Sequence, residues 1–123
     1  AKGNTAYKYN YSNSKRMRRH FWLEESRVAL CWGKSRSEEE PQTMDLKDCA
    51  GIIHGPMTTT FQRCQTREDP PWCCFSLLFH DRTLDLAVPG EVVETWFSGL
   101  QHVLLLRSSS SRGSCVSPSR FVF

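Results

Sequence analysis

The residues best suited to chemistry stand almost in a row. Lys15-Arg16-Met17-Arg18-Arg19 sets four cations in five positions. Phosphate recognition needs several cations converging on one concave spot, because each exposed contact alone is weak and screened by salt. Arginine adds a planar fork that meets phosphate oxygens bidentately, which lysine lacks. Whether these cations converge or only decorate a solvated hairpin loop depends on the backbone beneath them. Strand parity answers part of that question. Arg19 shares a face with Phe21 and Leu23, so it belongs at the core-side mouth of whatever the strand builds, while Arg18 and His20 point outward. Arg19 is the best single candidate for a ligand contact, with Arg16 and Arg36 reaching in from the loops.

Other chemistries find less support. The same basic run could be a nuclear-localisation or nucleic-acid patch, with Tyr7, Tyr9, Tyr11 and Trp22 stacking on bases. Tyrosines alternating at period two are more simply explained as sheet packing, and no nucleic-acid partner is expected. The four histidines are far apart, and none stands in a catalytic pattern. No glycine-rich phosphate loop exists, and Asp45, Asp48 and Asp85 read as strand-end or sheet-surface residues. The expectation is a chain without catalytic residues. Its six cysteines have scattered spacing and form no Cys-x-x-Cys pair, so neither a zinc site nor any cofactor is expected. Several fall inside apparent strands, where a thiol behaves as a small hydrophobe; this points to a reducing, intracellular compartment. The adjacent Cys73 and Cys74 should place one thiol inward and one outward.

Charge and length narrow the class. Lys and Arg outnumber Asp and Glu by 16 to 13, but the acids cluster apart from the basic run, at Glu38-Glu39-Glu40 and around Glu91 and Glu94. A polarised charge map can orient a domain toward an anionic surface. No stretch reaches the roughly 18 apolar residues that span a bilayer. The first residue is Ala1, which reads as a piece of a longer protein or a processed one. At 123 residues there is room for one domain with its own core.

The elements that must position these residues are legible from periodicity. Val92, Val93, Trp96, Phe97, Leu100, Val103 and Leu104 recur at helical spacing, with Pro89 and Glu91 suited to the first turn and Arg107 to the last. Before that helix come two strands, Phe75 to Phe79 and Thr83 to Val88, turning through His80-Asp81-Arg82. Residues 5–11 alternate as a strand, and His20 to Glu24 with Val28 to Trp32 form a hairpin-like pair. Residues 33–42 are a polar loop, and Met44 to Ile53 is a strand with an irregular start. Residues 54–72 are a long loop with a possible short strand at Thr59 to Arg63. Residues 1–107 make the domain, and 108–123 a serine-rich linker or tail in which Phe121 to Phe123 could begin another strand. The sum is mainly β: six or seven antiparallel strands forming a sandwich or partly open barrel, capped by one C-terminal helix.

With these elements in place, residues 5–107 resemble a pleckstrin-homology (PH) domain. Trp96 in ETWFSGL resembles the tryptophan of the PH closing helix. The pair CFSLLF and RTLDL, and RHFWLEE followed by LCWGKSRS, resemble the PH domains of phosphoinositide-specific phospholipases C and those attached to plant RCC1-type propellers. The resemblance implies a seven-stranded fold and a head-group site between the first–second and third–fourth strand loops. Carried over by position, Lys8 matches a first-strand lysine, Arg16 and Arg19 match second-strand arginines, and Ser35 and Arg36 match a Ser-Arg after the third strand. With Lys15 and Arg18 from the basic run, these are the candidate site. Departures from the family pattern are Asn10 or Tyr11 for a second lysine, Ser37 for a third, and Lys15 for an aromatic residue, which implies modest affinity.

The expected function is a non-catalytic, phosphoinositide-binding module, monomeric as an isolated domain. It would hold a larger intracellular protein at the cytoplasmic face of a membrane as a peripheral protein. The rival is a protein-docking platform, which solvent-facing Trp22, Phe61 and Trp72 would favour, with the Pro70-Pro71-Trp72 segment as a contact surface.

Overall fold

The structure, a computed structural model, describes residues 3–24, 26–35, 39–64 and 68–110, with the side chains beyond 105 left aside. Seven antiparallel strands form one sheet: β1 (Asn4–Tyr9), β2 (Arg16–Glu24), β3 (Ala29–Gly33), β4 (Gln42–Asp45), β5 (Gly51–His54), β6 (Cys74–Leu78) and β7 (Thr83–Ala87). Their order is β4-β3-β2-β1-β7-β6-β5, so the sheet is not closed and β1 joins its two halves. One short helix, α1 (Thr59–Gln62), lies in the β5–β6 excursion. The long helix α2 (Val93–Ser110) follows β7.

Register assigns the faces. Asn4, Ala6 and Lys8 pair with Phe21, Arg19 and Met17, and Phe21 pairs with Trp32. These residues share the face that carries the main core, built from Ala6, Phe21, Leu30, Trp32, Leu46, Ile52, Phe75, Leu77, Leu84 and Leu86. Helix α2 closes that core with Trp96, Leu100 and Leu104, the stripe expected from its spacing. The Trp96 indole donates to Asn4 Oδ1 at 2.8 Å and so ties the helix to the start of β1. The helix runs to Ser110, three residues beyond the expected boundary at 107.

Local chemistry explains where sequence periodicity misled. The single strand expected over 44–53 is two strands separated by a 3₁₀ turn, Leu46–Asp48. Asp45 caps that turn by accepting from the Lys47 amide at 2.8 Å, while Leu46 drops into the core. Val28 is not in β3; its φ of 52° makes it the left-handed residue of the β2–β3 turn. The segment from Thr59 is helical rather than a strand, because Thr58 is an N-cap whose hydroxyl accepts from the Phe61 amide.

The opposite face of the sheet is covered as well, which the sequence reading did not foresee. Tyr9, Phe61, Cys74 and Ala87 form a second, smaller core there, with α1 laid across β1 and β7. Cys73 and Cys74 are therefore both buried, not divided between inside and outside. Asp85 is fully buried on this face rather than at the surface. Its oxygens accept from the hydroxyls of Thr58, Ser76 and Thr83 at 2.5, 2.6 and 2.7 Å. Phe61 is buried too, whereas Trp72 is 63% exposed and Trp22 half-buried. The five described cysteines, Cys31, Cys49, Cys64, Cys73 and Cys74, are all free thiols.

Candidate anion-binding site

Strand direction brings three connections to one end of the sheet. The β1–β2 loop (10–15) leaves β1 at Tyr9, the β3–β4 loop leaves β3 at Gly33 beside His20, and the β6–β7 turn lies beyond the Leu78–Thr83 pair. α2 closes the core away from this end, packing on β5 and the Leu46–Asp48 turn.

Around the β2–β3 side of this end lies a depression of about 490 Å³. It is lined by Thr5, Arg18, Arg19, His20, Lys34 and Ser35. Three of the expected residues, Arg18, Arg19 and Ser35, thus meet in one place, joined by Lys34 and His20. Arg19 follows its expected parity: it pairs with Ala6 on the core face, and its guanidinium turns back to donate to the Arg18 carbonyl at 2.6 Å. Arg18 pairs with Tyr7 on the other face and is exposed.

Lys8 stands on the same face as Arg19, at the end of β1. Its ammonium lies 5.9 Å from the centre of the Trp32 ring and donates to Asn10 Oδ1 at 3.0 Å. Burial pushes the Lys8 ammonium below its ordinary pKa. The positive charge of Arg82 adds to that, Asp85 acts against it, and Arg19 adds again.

The remaining expected residues lie apart. Arg16 points to the opposite face, where its guanidinium grips Asp69 bidentately at 2.8 and 3.0 Å and reaches Glu68 at 3.5 Å. It also stacks 3.5 Å over the Tyr7 ring. Tyr9 donates its hydroxyl to the same Asp69 at 2.5 Å. Lys15 is exposed in the β1–β2 loop, with its amide bonded to Asn13 Oδ1. Arg36 lies outside the described residues, as do Ser37 and the Phe121–Phe123 stretch.

The β1–β2 loop is itself held by the β5–β6 excursion. Ser14, at φ 61°, donates its buried hydroxyl to the Thr60 carbonyl at 2.6 Å, and Arg63 donates to the Tyr11 carbonyl at 2.5 Å. Sequence reasoning missed Lys34 and Arg82. Lys34 borders the matched Ser35-Arg36 pair. Arg82 had only its parity with Leu84 and Leu86 to mark it.

Among the described residues, no cluster of His, Cys, Asp and Glu could hold a metal ion. No described helix is long and apolar enough to cross a membrane.

Comparison with known proteins places this geometry. No family model matches the chain. It is 32% identical over 95 residues to 1-phosphatidylinositol 4,5-bisphosphate phosphodiesterase eta-2 of Mus musculus, covering 75% of this chain and 6% of that protein. The Homo sapiens counterpart is 31% identical over 94 residues, covering 74% and 7%. The chain thus spans a small fraction of these relatives. Among solved structures, the C-terminal PH domain of pleckstrin superposes with a TM-score of 0.63 at 16% identity, over 85% of this chain and 95% of that one. The same domain in complex with D-myo-Ins(1,2,3,5,6)P5 gives 0.60 at 17% identity, over 84% and 93%. PLC21 of S. officinalis gives 0.59 at 16% identity, over 84% of this chain and 15% of that one. The open seven-stranded sheet with its single closing helix is a pleckstrin-homology domain by fold, and its sequence resembles a segment of the phosphatidylinositol bisphosphate phosphodiesterases.

Proposed function

We propose that this chain is a non-catalytic module that binds phosphoinositide head groups at the open end of its sheet and so holds a larger intracellular protein at the cytoplasmic face of a membrane. The observation that carries this reading is the meeting of Arg18, Arg19, Lys34 and Ser35 around one depression of head-group size. Arginine forks and a lysine point charge there suit phosphate oxygens, and Ser35 adds a hydroxyl. A solved relative in fold carries an inositol pentakisphosphate, which agrees with such a ligand. Attraction to an anionic leaflet adds a less specific contribution of about 1 kcal/mol per cation near the surface. Lys8 stands on the same face as Arg19, Arg36 is carried as a candidate from the sequence alone, and Arg16 takes a structural role through Asp69.

The test is co-sedimentation with liposomes carrying a phosphoinositide panel at two salt concentrations. Wild type is compared with Arg18→Ala, Arg19→Ala and Arg36→Ala. Loss of a charge-assisted contact should weaken binding about tenfold. Binding that ignores all three substitutions, or is absent from every liposome, removes the lipid reading. Protein docking would then take its place, favoured by the exposure of Met57 (60%) and Trp72 (63%) at the other end of β5 and β6.

A further inference from the structure

At the opposite end of the β1–β2 pair from the cation-lined depression, α2 leaves a small apolar groove. It measures about 200 Å³ and is lined by Gly3, Asn4, Leu23, Thr95, Trp96 and Gly99. None of these side chains is charged, and the Asn4 amide oxygen is already taken by the Trp96 indole. An apolar cavity of about 150 Å³ accepts a benzene molecule, so this groove has room for one phenyl ring. Gly99 keeps it open, for a Cβ built there meets nothing within 4 Å. A glycine inside a helix weakens it relative to alanine, and no close neighbour demands one at this position. Helical spacing sets Val103, Leu106 and Ser110 on the same side of α2 as Gly99, with Val103 half-buried. The helix therefore hands the chain on from the groove's own side.

The chain that follows supplies an occupant. Phe121-Val122-Phe123 holds the only aromatic rings after Trp96 and Phe97, and in extended backbone its two rings share a face. The rise of α2 from Gly99 to Ser110 is about 17 Å, whereas the backbone from Ser110 to Phe121 spans about 36 Å when extended, ample for a turn and a return. Residues 108–123 carry Arg112 and Arg120 and no acid, while the start of the helix exposes Glu91 and Glu94. A segment returning along α2 thus moves toward opposite charge. Tethering by so short a flexible stretch holds it at an effective concentration of order millimolar, so even a weak apolar contact is populated. We infer that Phe121-Val122-Phe123 folds back along α2 and seats one phenylalanine ring in the groove between Leu23, Trp96 and Gly99. The groove is then a docking site for this chain's own downstream segment. Such a contact fixes the direction in which the chain leaves the domain, which a serine-rich stretch alone does not.

NMR of the intact 123-residue chain tests this. Wild type should show nuclear Overhauser contacts from a ring of Phe121 or Phe123 to the Gly99 α-protons and the Trp96 indole. Its Val122 amide should exchange with solvent about tenfold more slowly than in a Phe121→Ala, Phe123→Ala double variant. Both of those substitutions lie outside the packed domain core and leave it intact. Gly99→Leu fills the groove from the helix side, where it meets open space and improves helix propensity. It should return Val122 to the fast exchange of the double variant while the α2 amides stay protected. A Val122 amide that exchanges equally fast in all three proteins overturns the inference. Ring contacts to Met57 or Trp72 in place of Gly99 overturn it too, as do contacts that vanish on about tenfold dilution because a second copy supplies them.

Discussion

The ion pair between Arg16 and Asp69 offers a sharp test, because it separates a cation that binds ligand from one that holds the fold. The two side chains are 25% and 14% exposed, and Asp69 also accepts from the buried Tyr9 hydroxyl. Asp69→Ala would leave a partly buried guanidinium facing the exposed Glu68 carboxylate at 3.5 Å alone, and a buried phenol without its acceptor. Breaking a fully buried pair costs about 3–5 kcal/mol. Discounting for partial exposure, and adding back the stranded hydroxyl, gives about 3 kcal/mol for Asp69→Ala. Arg16→Ala leaves the carboxylate with the Tyr9 bond and some water, so it should cost about 1.5–2 kcal/mol. Removing both partners should cost about as much as Asp69→Ala alone, a coupling of about 1.5 kcal/mol. Urea unfolding of wild type, the two single variants and the double variant measures this cycle, and Asp69→Ala should also melt about 10 °C lower. Liposome binding of folded Arg16→Ala should stay within about twofold of wild type, the size of a screened surface charge. A coupling below about 0.5 kcal/mol, or lipid binding lost by Arg16→Ala but not by Arg19→Ala, would refute this division of labour.

Three further outcomes follow from the geometry. Burial, the hydrogen bond to Asp69 and the charge of Asp69 all raise the Tyr9 pKa above its ordinary value of 10.0. The stability tied to the neutral phenol is therefore fully present below pH 10 and lost as pH rises toward the folded-state value, so melts of wild type and Tyr9→Phe from pH 8 upward should show their gap closing only above pH 10. Lys8→Met removes a cation held among like charges and should raise the melting temperature by about 1–3 °C while weakening phosphoinositide binding; a lower melting temperature would contradict the crowding. At Gly3, with φ 78°, a Cβ would stand 2.1 Å from the Phe21 carbonyl oxygen, so Gly3→Ala should cost about 2 kcal/mol or more in urea unfolding, and an unchanged midpoint would count against this start of β1.

How much of this was legible in the sequence depended on how local the causes are. The hairpin from Cys74 to Ala87 and the helix from Val93 are written in alternation and helical spacing, and they came out within a few residues. The faces of Arg18 and Arg19 followed from parity alone, since parity needs only the strand. Thr59 to Arg63 misled because consecutive threonines favour a strand, while the cap bond that makes the segment helical depends on where Thr58 is placed by Asp85, 27 residues away. The pairing of Arg16 with Asp69 spans 53 residues, and no pattern within the basic run distinguishes that arginine from its neighbours. Arg82 was hidden in the same way: a turn residue by composition, it reaches the Tyr11 ring only because the β6–β7 turn meets the β1–β2 loop.

The excursion from Gly55 to Cys73 is more than a cover for the second core. Its bonds from Ser14 to Thr60 and from Arg63 to Tyr11 fasten the β1–β2 loop at two points, and the bond from Arg16 to Asp69 fastens the first residue of β2 beside it. Ordering such a loop normally consumes about 1–2 kcal/mol per residue in lost backbone freedom. Here that loss is met when the chain folds, so a ligand arriving at the open end finds the loop already shaped. The rate of capture is then governed by charge and diffusion rather than by loop closure, and it should respond to salt and to solvent viscosity.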